Sequence, residues 1–122
     1  MLGAIIGDVV GSVYEFNNIR TKEFELFTNR NFLTDDSIMT IAVAEIMKKK
    51  YFKNKNKIIK TFKKWGRAYP NRGYGGRFAQ WLFSNETEPY YSFGNGAAMR
   101  VSPVAWYAKN EKQVKKYAKI NT

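Results

Sequence analysis

The chain has 122 residues, with 21 Lys and Arg against 10 Asp and Glu, a formal net charge of +11, and neither histidine nor cysteine. That composition excludes, within these residues, Ser-His-Asp and Cys-His hydrolysis, zinc held by Cys and His, disulfide frameworks and CxxC redox chemistry. What is left is carboxylate and hydroxyl chemistry, with hard ions such as Mg²⁺, Mn²⁺ or Ca²⁺, in a chain of single-domain length.

Residues 2–16 are predicted to form the first helix. The apolar run from Met1 to Val13 is broken by Asp8 and is too short to span a bilayer. With no basic leader ahead of an apolar stretch, a cytoplasmic chain without membrane contact is expected. Gly3, Gly7 and Gly11 recur every four residues and line one face. Each costs about 1 kcal/mol relative to alanine in a helix, so a close neighbour along that face is expected. Asp8, Ser12 and Glu15 fall along another face of the same helix and make a polar line that must meet water or a site.

Residues 17–31 show no sustained period and read as a loop. Thr34 then caps a helix reaching about Lys50, with Ile38, Ile41, Ala42, Glu45 and Ile46 on its periodicity. Asp35 and Asp36 lie in its first turn, and with Asp8 they are the only aspartates of the chain. Two readings stand at this point: acidic residues favourable to the helix dipole, or adjacent carboxylates that repel each other until a divalent cation binds. From the motif alone, capping comes first.

A further helix is predicted over 57–68. The lysines at 48, 49, 50, 53, 55, 57, 60, 63 and 64 make this the most basic part of the chain. They could attract a nucleic acid. Their alternation with Ile58, Ile59, Phe62 and Trp65 at helical spacing favours the solvated face of an amphipathic helix. Tyr69 to Gly76 is irregular because of its Pro and Gly content, and 77–83 resumes helix. Residues 86–97 form a loop whose Ser92-Phe93-Gly94-Asn95-Gly96 segment suits a nest of backbone N–H groups for phosphate, although ordinary turns use the same residues. Residues 98–108 read as mostly helical and strained by Pro103. Asn110 with Gln113 forms a capping box that opens a last short helix. No strand pattern or internal repeat appears, so the fold class is all-α.

Four blocks resemble the ADP-ribosylglycohydrolase family in the same order: Gly3 to Glu15, Thr34-Asp35-Asp36-Ser37, Tyr69 to Gly76, and Ser92 to Pro103. The resemblance implies an all-α orthogonal helical bundle that holds two Mg²⁺ or Mn²⁺ ions and cleaves the glycosidic bond joining ADP-ribose to a protein or small molecule. By the same resemblance Thr34, Asp35 and Asp36 are metal ligands, and metal binding now takes precedence over capping alone. Glu15 and Asp8 are the catalytic carboxylates. Ser92, Phe93, Gly94, Asn95, Gly96, Tyr74 and Gly75 contact the ADP-ribose moiety. Such chemistry needs no histidine, because carboxylates stabilise an oxocarbenium-like transition state that a metal-oriented ribose and water can reach.

The family's second metal block, of the Asp-x-Asp-Thr/Ser type, has no counterpart in these residues. The expectation is therefore the N-terminal part, 1–122, of a truncated domain with at most half of the ligand set. Turnover would then require a C-terminal partner fragment, and exposed apolar faces would drive homo-oligomerisation. An inactive ADP-ribose-binding remnant and a basic nucleic-acid-binding module stand as alternatives, the latter disfavoured by the amphipathic lysine pattern.

Overall fold

The computed structural model describes all 122 residues, arranged as seven α-helices and one 3-10 turn without any strand. In chain order they are α1 (Leu2–Gly11), α2 (Asp35–Lys48), the 3-10 turn (Tyr51–Lys53), α3 (Lys55–Ala68), α4 (Gly76–Phe83), α5 (Gly96–Met99), α6 (Ser102–Tyr107) and α7 (Glu111–Asn121). The all-α expectation holds. No helix is long and apolar enough to cross a membrane.

Helix α2 is the centre of the core, since Ile38, Met39, Ala42, Val43, Ile46 and Met47 are all fully buried. Apolar residues on more than one face allow it to be surrounded, here by α1, α3 and α6. Its start is fixed by Thr34, whose Oγ1 accepts from the N–H of Asp36 at 3.2 Å. Helix α3 adds Ile58 and Phe62, α4 adds Trp81 and Leu82, and α6 adds Val104. Asn54 caps α3 by accepting from the N–H of Lys57 at 3.0 Å. Asn110 caps α7 through the N–H of Gln113 at 3.0 Å, and Gln113 reaches back to the N–H of Lys109.

Four expectations are corrected. Helix α1 ends at Gly11 rather than near Phe16, so Glu15 leaves the helical line shared by Asp8 and Ser12. The glycine stripe meets no close neighbour, because a Cβ added at Gly3, Gly7 or Gly11 would find nothing within 4 Å. Nothing on α1 is buried, and Leu2 is 69% exposed. Pro103 breaks the expected 98–108 helix into α5 and α6 without strain, because it sits in the first turn of α6, where the missing N–H had no helical partner. The lysine face is also not uniformly solvated. The Lys63 ammonium is drawn inward over the Trp81 ring and donates to the carbonyls of Ser84 and Glu86, both at 2.8 Å.

Glu45, on the solvent edge of α2, accepts from Lys49, Lys64 and the Trp65 indole. Hydrogen bonds from the two lysines pull its carboxyl down to about 2. Because the folded state binds this proton more weakly than the unfolded chain, the contribution is full above the ordinary value of 4.5 and is lost as pH falls from there towards 2. Urea midpoints of Glu45→Gln should therefore lie below wild type at pH 7 and approach it as pH falls to about 2.

Helices α3 and α4 meet at Gly66, where an added Cβ would stand 2.6 Å from both terminal carbons of Leu82. Leu82 is 0% exposed and has no room to yield. Gly66→Ala gains about 1 kcal/mol of helix propensity but overpacks the core at a cost of about 1–3 kcal/mol. A net loss of stability is expected, and a raised urea midpoint would refute the packing argument.

Candidate active site

Asp8, near the end of α1, faces the N-terminus of α2 with both carboxylate oxygens engaged. Its Oδ2 accepts from the N–H groups of Thr34 at 3.0 Å and Ser37 at 3.3 Å, while Oδ1 accepts from the Thr34 hydroxyl at 2.5 Å. Ser12, just beyond α1, extends the junction: its hydroxyl donates to the carbonyl of Val9 and accepts from the N–H of Phe32. Asn31 donates to the same Val9 carbonyl. The end of α1 and the start of α2 are thus joined by a short polar seam. That seam sets where the next two residues, Asp35 and Asp36, point.

The N–H of Asp35 donates to the carbonyl of Arg72 at 2.7 Å, which brings the loop before α4 against the start of α2. In that loop Gly73 takes φ 90°, and a Cβ on it would stand 3.4 Å from Oδ1 of Asp35. Burial first, and then the neighbouring carboxylates Asp36, Glu15 and Asp8, push the Asp35 carboxyl up to about 6. Asp36 is raised by burial and by Asp8. The four carboxylates are found at one end of the molecule, and the chain's ion pairs all lie elsewhere, on Glu45, Glu88 and Glu111.

Glu15, Asp35 and Asp36 line a cleft of about 810 Å³. Gly75 and the Ser92, Gly94, Asn95 and Gly96 turn line the same cleft. The structure therefore brings together most of the residues anticipated from the sequence. Asp8 and Thr34 lie behind it, lining a smaller hollow of about 230 Å³ that Glu15 and Asp36 share. Phe93 is fully exposed and is not among the residues that line the cleft. Tyr74 packs edge-on against Phe78, and its hydroxyl donates to the carbonyl of Tyr69 at 3.0 Å. Burial and the nearby Asp35 push its phenol up to about 12. In the Ser92 turn the N–H of Gly94 donates to the Ser92 hydroxyl at 3.0 Å, and the residue with positive φ is Tyr91, at 47°, rather than a glycine.

The oxygen donors of Asp35 and Asp36 suit a hard divalent ion in kind. They do not suffice in number, because no group of three His, Cys, Asp or Glu side chains converges closely enough to hold an ion; the Thr34 oxygen, whose hydrogen goes to Asp8, keeps a lone pair. The far wall of the cleft was not anticipated from the sequence. It is built by Phe62, Phe78, Trp81, Tyr90 and Arg100. The signal for it lay in Phe78 and Trp81, three apart on α4 and stacked at 5.7 Å between ring centroids.

Replacing Asp8 leaves the N–H groups of buried Thr34 and Ser37 without their acceptor. Asp8→Ala should destabilise the chain by roughly 1.5–3 kcal/mol, with Asp8→Asn intermediate. Amide exchange should accelerate first at Thr34 and Ser37. Unchanged protection at those two amides would show that Asp8 does not hold the start of α2.

Comparison with known proteins gives two findings. The ADP-ribosylglycohydrolase family model matches residues 1–121. A relative from Xenopus tropicalis, ADP-ribosylhydrolase ARH3, is 31% identical over 128 aligned positions, which take in 83% of this chain and 36% of that protein. The chain thus spans a little over a third of the length of this curated relative.

Proposed function

The chain belongs to the ADP-ribosylglycohydrolase family, and we propose that its cleft is the N-terminal share of a metal-dependent site that binds ADP-ribose and hydrolyses its glycosidic bond to a protein or small molecule. The observation that carries this reading is a single cleft joining Glu15, Asp35 and Asp36 to the Ser92–Gly96 turn. In this reading Asp35 and Asp36 hold Mg²⁺ or Mn²⁺ together with ligands from outside these residues, supplied by a C-terminal partner fragment or a second copy. A divalent ion bound there would supply the positive charge that orients ribose hydroxyls and stabilises developing negative charge.

The roles of the chain's own residues follow from their placement. Glu15 is exposed in the cleft, so it is the carboxylate free to transfer a proton near the anomeric carbon. Asp8 is occupied by three donors, which makes it a positioning residue that keeps Asp35 and Asp36 in register. The Ser92–Gly96 turn and Gly75 take the diphosphate and ribose. Supporting this reading over a polyanion-binding module, the basic surface is partly neutralised from within: Lys49 and Lys64 pair with Glu45, Lys55 with Glu88, and Lys63 is turned inward.

Titration of the chain with Mn²⁺ should show weak, incomplete occupancy that Asp35→Ala abolishes. ADP-ribose should bind weakly, without release of ADP-ribose from O-acetyl-ADP-ribose or a modified protein. Metal-dependent turnover by the chain alone, lost in Asp36→Ala, would overturn the shared-site reading. Turnover that appears only on adding a fragment with the second acidic block would support it.

Helix α1 presents its open glycine face beside exposed Leu2 and Ile6, with Phe16, Leu26 and Phe27 also exposed in the following loop. Apolar surface of this kind promotes association. Light scattering at micromolar concentration should give a dimer or larger species, and a clean monomer would count against it.

A further inference from the structure

Arg100 follows α5 and is only 8% exposed, yet no carboxylate pairs with it. A guanidinium this buried needs compensation. Part comes from two aromatic faces, Phe62 at 4.6 Å and Phe78 at 5.6 Å from its central carbon. Part comes from the carbonyl of Asn121, which accepts from Nε at 3.0 Å and holds the group from the α7 side. The two terminal nitrogens have no protein acceptor, and the residue lines the cleft. Those nitrogens carry four of the five N–H groups of the fork.

Other donors of the same wall also lack acceptors. The Tyr90 hydroxyl donates to no protein atom, and Tyr90 lies in the aromatic cluster, 6.4 Å from Phe78 and 6.3 Å from Trp81 between ring centroids. Burial pushes the Tyr90 phenol up against the opposing charge of Arg100, so its hydroxyl keeps its proton and stays a donor. The indole Nε1 of Trp81, in contact with the same rings, is buried without a partner. An excess of donors over acceptors around a cation on an apolar floor is the arrangement that an oxyanion satisfies.

We propose that Arg100 and Tyr90 form an oxyanion pocket in the far wall of the cleft that takes a phosphate group. Phosphate suits the site better than a single carboxylate because it offers oxygens to both the planar fork and the phenol, and because a group carrying more than one negative charge gains more from a desolvated guanidinium. The pocket does not depend on whether the cleft takes ADP-ribose, since inorganic pyrophosphate alone satisfies the same donors.

Pyrophosphate titrated into the full chain at 150 mM salt, followed by Trp81 fluorescence and by the Arg100 side-chain NMR signal, should give saturable binding. Arg100→Gln should weaken it at least tenfold, Arg100→Lys less, and Tyr90→Phe several-fold. Lys112→Gln with Lys116→Gln, exposed on α7 and outside the cleft lining, should leave it nearly unchanged. Equal affinity in Arg100→Gln and wild type, or loss in the surface double variant instead, would overturn the proposal. Should Arg100→Gln fail to fold, Tyr90→Phe decides: it deletes one hydroxyl that holds no protein contact, so wild-type affinity there would also refute the pocket. ADP-ribose titrated in parallel separates the two readings, because pyrophosphate binding without ADP-ribose binding supports the pocket and counts against the ADP-ribose cleft.

Discussion

The carboxylate of Asp8 joins two parts of the chain that sequence separates by 26 residues, and the rest of the site depends on that junction. One oxygen accepts from two backbone N–H groups at the start of α2 and the other from the hydroxyl of the cap residue. A single side chain thereby satisfies donors that a helix start leaves without internal partners. It also brings negative charge to the positive end of the helix dipole. Since α2 is the buried centre of the core, fixing its first turn fixes both the packing of Ile38 and Met39 and the direction of Asp35 and Asp36. Structure and site share one contact.

That economy places like charges together. Asp8 stabilises the start of α2 while raising the proton affinity of Asp36, and Asp36, Glu15 and Asp8 together add to the effect of burial on Asp35. Carboxylates whose ionisation is opposed by burial and by one another have most to gain from a cation between them. The capping reading and the metal reading of Thr34-Asp35-Asp36 are therefore not rivals. Thr34 is the cap, with its hydroxyl bonded to Asp8 and the N–H of Asp36, whereas the two aspartates turn towards the cleft. A sequence motif can hold a helix cap and a pair of carboxylates without showing which residue faces the cleft.

The helices that carry long periodic apolar patterns were legible in the sequence. Helix α2 shows its core face directly, and the Asn110 cap acts locally through a hydrogen bond spanning three residues. What was not legible depends on partners distant in the chain. Lys63 reads as one more exposed lysine until α4 presents the Ser84 and Glu86 carbonyls to it. Helix α1 reads as running to Phe16 because the apolar pattern continues. It stops at Gly11 because the Ser12 hydroxyl turns back to the Val9 carbonyl and receives the N–H of Phe32, which commits the following residues to a turn. The carboxylates of the cleft were found by motif, but its aromatic and cationic wall assembles from α3, α4, the loop before α5 and the residue after it, which no single window of sequence contains.

The cleft carries both signs of charge, with Glu15, Asp35, Asp36 and Glu88 among its lining as well as Lys53, Lys55 and Arg100, and that mixture constrains how any ligand lies in it. The chain is strongly cationic as a whole, so an anion is attracted to the molecule before it meets the site. In the proposed pocket a phosphate would sit on the free N–H groups of Arg100, away from the repelling carboxylates Glu15, Asp35 and Asp36. A ligand with a phosphate at one end and a neutral hydroxylated ring at the other is thus driven into one orientation, its ring beside the carboxylates. Orientation of this kind costs no moving part, because both charge sets are held by buried contacts: the carboxylates by the Asp8 seam, the guanidinium by Phe62, Phe78 and the carbonyl of Asn121. On the proposed reading, the same orientation would bring a glycosidic carbon beside Glu15, where proton transfer has use.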